Sequence, residues 1–231
     1  MSKSTLATVL KRAEEARILL SGKSTRRKGL EVFDLLAREH PRDGMIYFKR
    51  AEALEALGES REAAQSYRKA QEFFFKKLWR DLAKSRAERL EKDIEVTELK
   101  EKVEAALGPA AHARDLSHIA ESAWLAGRFA KEYASVSLEL SRTALVRAIL
   151  ALERRFPDQL IADGQSQSGS WYQRLDRAAE AKVVTQDTVK RAKNVLYQRG
   201  KAVYEGKLVS PTQAQVAFDT IVRFLRDAFR R

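Results

Sequence analysis

The chain has 231 residues, 44% of them hydrophobic and 33% charged, which is enough apolar content to build cores and excludes global disorder. No apolar run approaches the ~20 residues needed to cross a bilayer, and the absence of cysteine excludes disulfides and thiolate metal sites. The net charge of +12 arises from 44 basic and 32 acidic side chains spread over both halves, a field that attracts nucleic acids and other polyanions without selecting one.

Only 10 Gly and 4 Pro punctuate the chain and two-residue alternation is nearly absent, so an all-α fold is expected. The Gly108-Pro109 stop divides it into two expected domains, residues 1–108 and 109–231. Residues 1–12 lack the apolar core and cleavage site of a secretory signal, and together with the missing cysteines this leads us to expect a cytoplasmic protein with no membrane partner.

Leu6, Val9, Leu10, Ala13, Ala16 and Leu20 recur at helical spacing and predict a first helix, broken by the run from Ser21 to Thr25. Gly22-Lys23-Ser24-Thr25 matches the end of a phosphate-binding loop, but Arg17 stands where that motif needs its first glycine and no strand precedes it. Thr25 is the expected N-cap of a second helix with Leu30, Val32, Phe33, Leu36 and Ala37, closed by His40-Pro41-Arg42-Asp43. Residues 44–77 then read as two helices about a turn at Gly58, with small residues at Ala51, Ala63 and Ala70 and aromatics at Tyr47 and Tyr67.

That pattern resembles a tetratricopeptide repeat, and the preceding helix pair, with Gly29 and Phe33 at corresponding places, resembles a divergent copy. Arg50, Leu54 and Phe75 depart from it, standing where the pattern prefers Leu, Tyr and Pro. The resemblance implies a short repeat array that takes a protein or peptide on its helices, with Tyr47, Lys49 and Arg50 as candidate contacts. Because no Gly or Pro occurs between Ser60 and Ile94, the second helix of the pair is expected to run on through Phe73-Phe74-Phe75, Leu78 and Trp79. The aromatic cluster is read as a core or helix interface, although beside basic residues it also suits base stacking. A further helix is expected over Val96 to Leu107.

In the second half, Leu116 to Phe129 and Tyr133 to Phe156 have helical apolar faces, and Pro157 is expected to stop the second of them. Asp163 to Ser170 reads as a loop whose Gly164 and Gly169 have phosphate-loop spacing without the required Lys. A short helix follows from Trp171, Thr185 is expected to cap the next, and Ser210-Pro211 opens the last. There Ala214, Ala217, Phe218, Ile221, Leu225 and Phe229 face inward, while Arg223, Arg226, Arg230 and Arg231 concentrate positive charge.

The penultimate helix carries Arg199-Gly200-Lys201-Ala202-Val203-Tyr204. With the run from Leu140 to Leu150, which contains Arg142, the layout of residues 117–230 resembles HEPN domains, helical bundles whose RNase members carry an Arg, a polar residue and, several positions later, a His. Here Gly200 replaces the polar residue and Tyr204 the His. The resemblance implies a homodimer formed through the Arg-bearing helices, with Arg142, Arg199, Lys201 and Arg226 as candidate RNA-binding residues.

Arg199 and Tyr204 are the candidate catalytic pair, but the chemistry argues against them. Tyrosine titrates near pH 10 and is a poor base, and residues five apart on a helix point about 140° from each other. Val189, Ala192, Leu196, Gly200 and Val203 form a 3-4-4-3 stripe expected to pack, flanked by Tyr197 and Tyr204. His40, His112 and His118 have no metal-ligand spacing, so no metal or cofactor is expected. The expected function is therefore a non-enzymatic protein-interaction adaptor whose HEPN-like module dimerises and binds RNA. The alternative is a metal-independent RNA endonuclease of a toxin or antiviral system, with Arg199 as phosphate clamp.

Overall fold

The computed structural model describes residues 3–22, 24–113, 116–161 and 169–229, which form eleven α-helices and, among the described residues, no strand. Most of the loop expected from Asp163, together with Arg230 and Arg231, lies outside the described residues. The chain divides into two compact units, Met1–Glu95 and Val96–Arg231.

The first unit is built from α1 (Lys3–Ser21), α2 (Arg26–Glu39), α3 (Gly44–Ala56), α4 (Ser60–Phe73) and the first part of α5 (Lys77–Leu107), with α1 to α4 each packed on the next. Small residues set the spacing. A Cβ on Gly29 would lie 2.9 Å from the Ala16 carbonyl oxygen, so α1 and α2 meet at a point where only glycine fits. Between α3 and α4, Ala51, Ala63 and Ala70 are fully buried beside Leu54 and Tyr67, whose hydroxyl donates to Glu55 at 3.0 Å. Gly58 makes the turn at φ +79°, and the Asp43 carboxylate caps α3 by accepting from the Met45 and Ile46 N–H groups at 2.9 and 3.3 Å.

Three local expectations are corrected here. Thr25 precedes α2 without capping it; its hydroxyl donates back to the carbonyls of Leu19 and Gly22 and closes the end of α1. The second helix of the pair does not run on: α4 ends at Phe73, and Phe74 is extended at φ −74°, ψ 125°. Burial of an aromatic ring makes this break where no Gly or Pro exists, because Phe74 turns in to pack on Phe48 and Trp79, with centroids at 6.0 and 5.8 Å. Finally, no separate helix starts at Val96. The sequence from Lys77 to Leu107 contains no breaker and forms one helix of 31 residues.

The second unit comprises the remainder of α5, a 3₁₀ turn (Gly108–His112), α6 (Ser117–Phe129), α7 (Ala134–Arg155), α8 (Pro157–Leu160), α9 (Trp171–Glu180), α10 (Gln186–Tyr204) and α11 (Pro211–Phe229). Val103, Ala106 and Leu107 are buried in its core, so the unit reaches back across the Gly108-Pro109 stop. Pro157 opens the short turn α8 as well as ending α7, in keeping with its fixed φ and missing N–H. α7 is central and packs against α6, α8, α9, α10 and α11 through residues such as Leu145, Ala148, Ile149 and Leu152.

One buried ionic group pins α9 to α7. Glu153, 3% exposed, accepts from Arg174 at 3.1 Å and lies 3.7 Å from Arg177. Arg174 also covers the Trp171 ring at 4.6 Å. Thr185 and Ser210 cap α10 and α11 as expected, and α9 carries a cap as well. Ser170 and Gln173 exchange hydrogen bonds in a capping box, Thr185 accepts from the Thr188 N–H at 3.4 Å, and Ser210 accepts from the Gln213 N–H at 3.2 Å. The inward face read for α11 is buried from Ala214 to Phe229.

Candidate functional site

α10 has one buried face and one decorated face. Val189, Ala192, Val195 and Leu196 are buried, so the first half of the expected stripe packs as read. The second half does not: a Cβ on Gly200 would meet nothing within 4 Å, Val203 is exposed and Tyr204 is 82% exposed. At this end Ala202 packs against the cluster of Leu138, Val195 and Ala217, while Val203 and Tyr204 face solvent.

On the solvent side Lys190, Lys193, Tyr197 and Lys201 recur at 3-4-4 spacing and therefore share one stripe. Tyr172 of α9 lines an open groove of about 580 Å³ together with Lys190, Lys193 and Tyr197, and with Asp187, Arg191 and Asn194. Tyr172 and Tyr197 are 40% and 49% exposed, so each presents ring area to a ligand. The α9 side is held in place by the capping box at Ser170 and by the buried Glu153 contacts.

The groove is rich in cations. Lys193 pairs with Asp176 at 2.6 Å, and Asp187 accepts from Arg191 at 3.0 Å and lies 3.3 Å from Arg223. The hydrogen bond from Arg191 holds the Asp187 carboxyl below its usual range, with the charges of Arg191, Arg223 and Lys190 adding to it. One turn beyond Tyr197, the Lys201 ammonium sits 4.6 Å from the ring centroid of that tyrosine. Its pKa is raised, first by hydrogen bonding to Tyr197. An aromatic face bracketed by ammonium groups can stack a base and hold the phosphates on either side of it.

Arg199 and Tyr204, the pair expected from the sequence, lie elsewhere on α10. Arg199 donates to Glu139 of α7 at 2.8 Å, and Arg142 donates to the other oxygen of the same carboxylate at 3.2 Å. Arg199 has a raised pKa, chiefly from the Glu139 hydrogen bond, with a smaller hydrogen-bond contribution from Tyr204. Thus Arg142 and Arg199 share the Glu139 carboxylate, each through one N–H group, with Tyr204 beside Arg199. His40 lies in the α2–α3 turn and His118 on α6, so no described imidazole joins this group, and the side chain of His112 lies outside the described residues.

The four candidate RNA-binding cations do not form one surface. Lys201 belongs to the Tyr197 stripe, whereas Arg199 points towards α7. Arg226 is exposed in the last turn of α11, whose preceding turn reaches the start of α10 through Arg223 and Asp187. Asp187 and Arg199 are about 18 Å apart along the axis at ordinary helical rise. Among the described residues no group of His, Asp and Glu is arranged to hold a metal.

In the first unit, Tyr47 is buried against Phe73, with ring centroids at 5.8 Å, and serves the core instead of offering a contact surface. Arg50 ties three helices together, donating to Asp34 of α2 at 2.6 Å and to Ser66 of α4. Lys49 remains half-exposed, paired with Glu52 at 2.8 Å.

Sequence reading missed Tyr172, Lys190 and Lys193, and took Tyr197 for a packing residue. A signal was present: the 3-4-4 recurrence of Lys190, Lys193, Tyr197 and Lys201 is as regular as the apolar stripe beside it. Tyr172 gave no such signal, since only the fold of α9 against α10 places it opposite. No family model matches the chain, and neither a curated protein nor a solved structure does, so the role of this groove follows from its own residues.

Proposed function

We propose that this chain is a non-enzymatic adaptor. Its second unit, a HEPN-like module, holds single-stranded RNA along α10, and its first unit, a tetratricopeptide-like array, holds a protein segment. One observation carries the RNA half: two partly exposed tyrosines, Tyr172 and Tyr197, line one open groove with Lys190 and Lys193, and Lys201 sits at the Tyr197 ring one turn further along α10. Stacking on the two rings accepts any base, and the ammonium groups follow the phosphates, so the preference is for unpaired strands over duplex. Val136, Val203 and Tyr204, exposed on α7 and α10, support association of two copies through the helices that bear Arg142 and Arg199.

The Glu139 cluster supports a reading without turnover. A carboxylate paired with both Arg142 and Arg199 competes with a phosphate for them, and a phenol is ordinarily a poor general base. The endonuclease reading has one observation in its favour, the exposed Tyr204 beside Arg199. Incubation of a labelled single-stranded RNA with the wild type, Tyr197→Ala and Arg199→Ala in the absence of metal separates the two. The adaptor reading expects intact RNA throughout, retention by wild type and Arg199→Ala, and about a tenfold loss for Tyr197→Ala, the size of one lost stacking contact. Cleavage by wild type that Arg199→Ala abolishes would replace it with the endonuclease.

A further inference from the structure

The first unit carries a surface that the RNA groove does not explain. The turn between α2 and α3 and the turn between α4 and α5 together line an open pocket of about 590 Å³, with Pro41, Met45, Phe73, Phe74 and Phe75 among its walls. Phe73 and Phe74 are partly buried because their rings also close the core, on Tyr47 and on Trp79. Phe75 has no such role. It is 97% exposed, and Leu78, three residues on in α5, is 76% exposed. A bare phenyl ring beside a pocket already walled by two others forms an apolar strip with an inlet, unlike an isolated surface hydrophobe.

The charge around this pocket has one sign left over. Its two carboxylates are engaged within the unit: Glu39 pairs with Arg12 at 2.6 Å, and Asp43 caps α3. The cations are not, since among the described residues no carboxylate pairs with Arg42 in the pocket wall or with Lys76 and Lys77 directly after Phe75. Unpaired ammonium and guanidinium groups beside an apolar inlet complement a ligand that is acidic with a bulky apolar anchor.

We propose that this edge of the first unit is the docking site for an acidic peptide segment. One bulky apolar side chain enters between the two turns and stacks on Phe75, and flanking Asp or Glu residues pair with Arg42, Lys76 and Lys77. A concave inlet takes an inserted side chain, which favours a peptide over a flat lipid surface. The inference rests on the adaptor reading and names where, and to what chemistry, the first unit binds.

The test uses the full chain and a short fluorescein-labelled peptide with one Phe set among Glu and Asp, read by anisotropy. Saturable binding to the wild type that weakens with salt is expected. Phe75→Ser is expected to lose about tenfold or more, as for a central aromatic contact. Because the Phe75 ring is exposed, that variant should melt as wild type does and retain RNA unchanged. Lys76→Glu combined with Lys77→Glu should lose binding comparably. No binding by the wild type would overturn the proposal, as would equal binding by Phe75→Ser, an outcome that leaves the adaptor reading standing with its peptide elsewhere. Capture of the wild type on phosphatidylserine vesicles without peptide binding would also overturn it and assign the strip to a lipid surface. Failure of RNA retention alone would strike the adaptor reading and leave this site in place.

Discussion

At the scale of single residues, chemistry is decided by partners, and partners come from elsewhere in the chain. Arg199 was visible in the sequence as a candidate phosphate clamp, yet Glu139, sixty positions away, decides what it does. Tyr47 was visible as a candidate contact and proves to be core. Glu153 had no distinguishing signal at all, because its meaning lies in burial between Arg174 and Arg177. Removing it leaves two arginines partly buried without their counter-charge, which costs about 3–5 kcal/mol in comparable cases. Glu153→Ala is accordingly expected to lower the unfolding free energy by that much, measured by urea denaturation, and to weaken RNA binding as well, since the contact fixes the helix that carries Tyr172. Unchanged stability would mean that α9 is held by its apolar face alone.

At the scale of elements, helical spacing and turn residues located most helices, because periodicity and capping are local properties. The errors fell where a distant surface intervened. The break after Phe73 depends on Phe48 and Trp79 receiving the Phe74 ring, and at the end of α10 the inward position falls to Ala202, against Leu138 and Ala217, which leaves Val203 and Tyr204 in solvent. α5 was expected in pieces because its polar middle lacks a clear apolar face, but without a breaker the helix continues. Its docking on α4 uses a two-pronged contact in which Arg68 donates to both Glu91 oxygens, at 2.9 and 2.6 Å. Arg68 thereby holds the Glu91 carboxyl below its usual range. The lowered value means that the contact stabilises the folded chain above the ordinary carboxylate pKa of about 4 and is lost as the pH falls through the lower folded value. Glu91→Gln is expected to cost about 0.5–1 kcal/mol at pH 7, a figure already reduced for the exposure of both side chains. Wild-type and variant melting temperatures should converge on acidification, and a gap that persists below the carboxylate range would assign the effect to packing.

At the scale of the molecule, composition and charge were informative in sign but not in place. A net charge of +12 spread over both halves gave an attraction to polyanions, and only the fold shows which cations share a surface with exposed rings. The all-α class was legible, since it follows from periodicity, whereas the boundary between the two units falls at Glu95, away from the Gly108-Pro109 stop and within a helix that carries no local mark of it. Among the described residues no helix is long and apolar enough to cross a membrane. If RNA lies along α10, its binding should fall with salt at a log–log slope of about −2, the value for Lys190, Lys193 and Lys201 displacing counterions from a single strand. A slope several times steeper would point to the whole basic surface in place of one stripe.

The most direct measurement is the affinity of a labelled single-stranded RNA for the wild type, Tyr172→Ala, Tyr197→Ala and the pair combined, at two salt concentrations. The groove on α9 and α10 predicts about a tenfold loss for each single variant, a larger loss for the pair, and a salt slope unchanged by all three, because rings and ammonium groups contribute separately. Equal affinity across the four proteins would contradict it and remove α10 as the site.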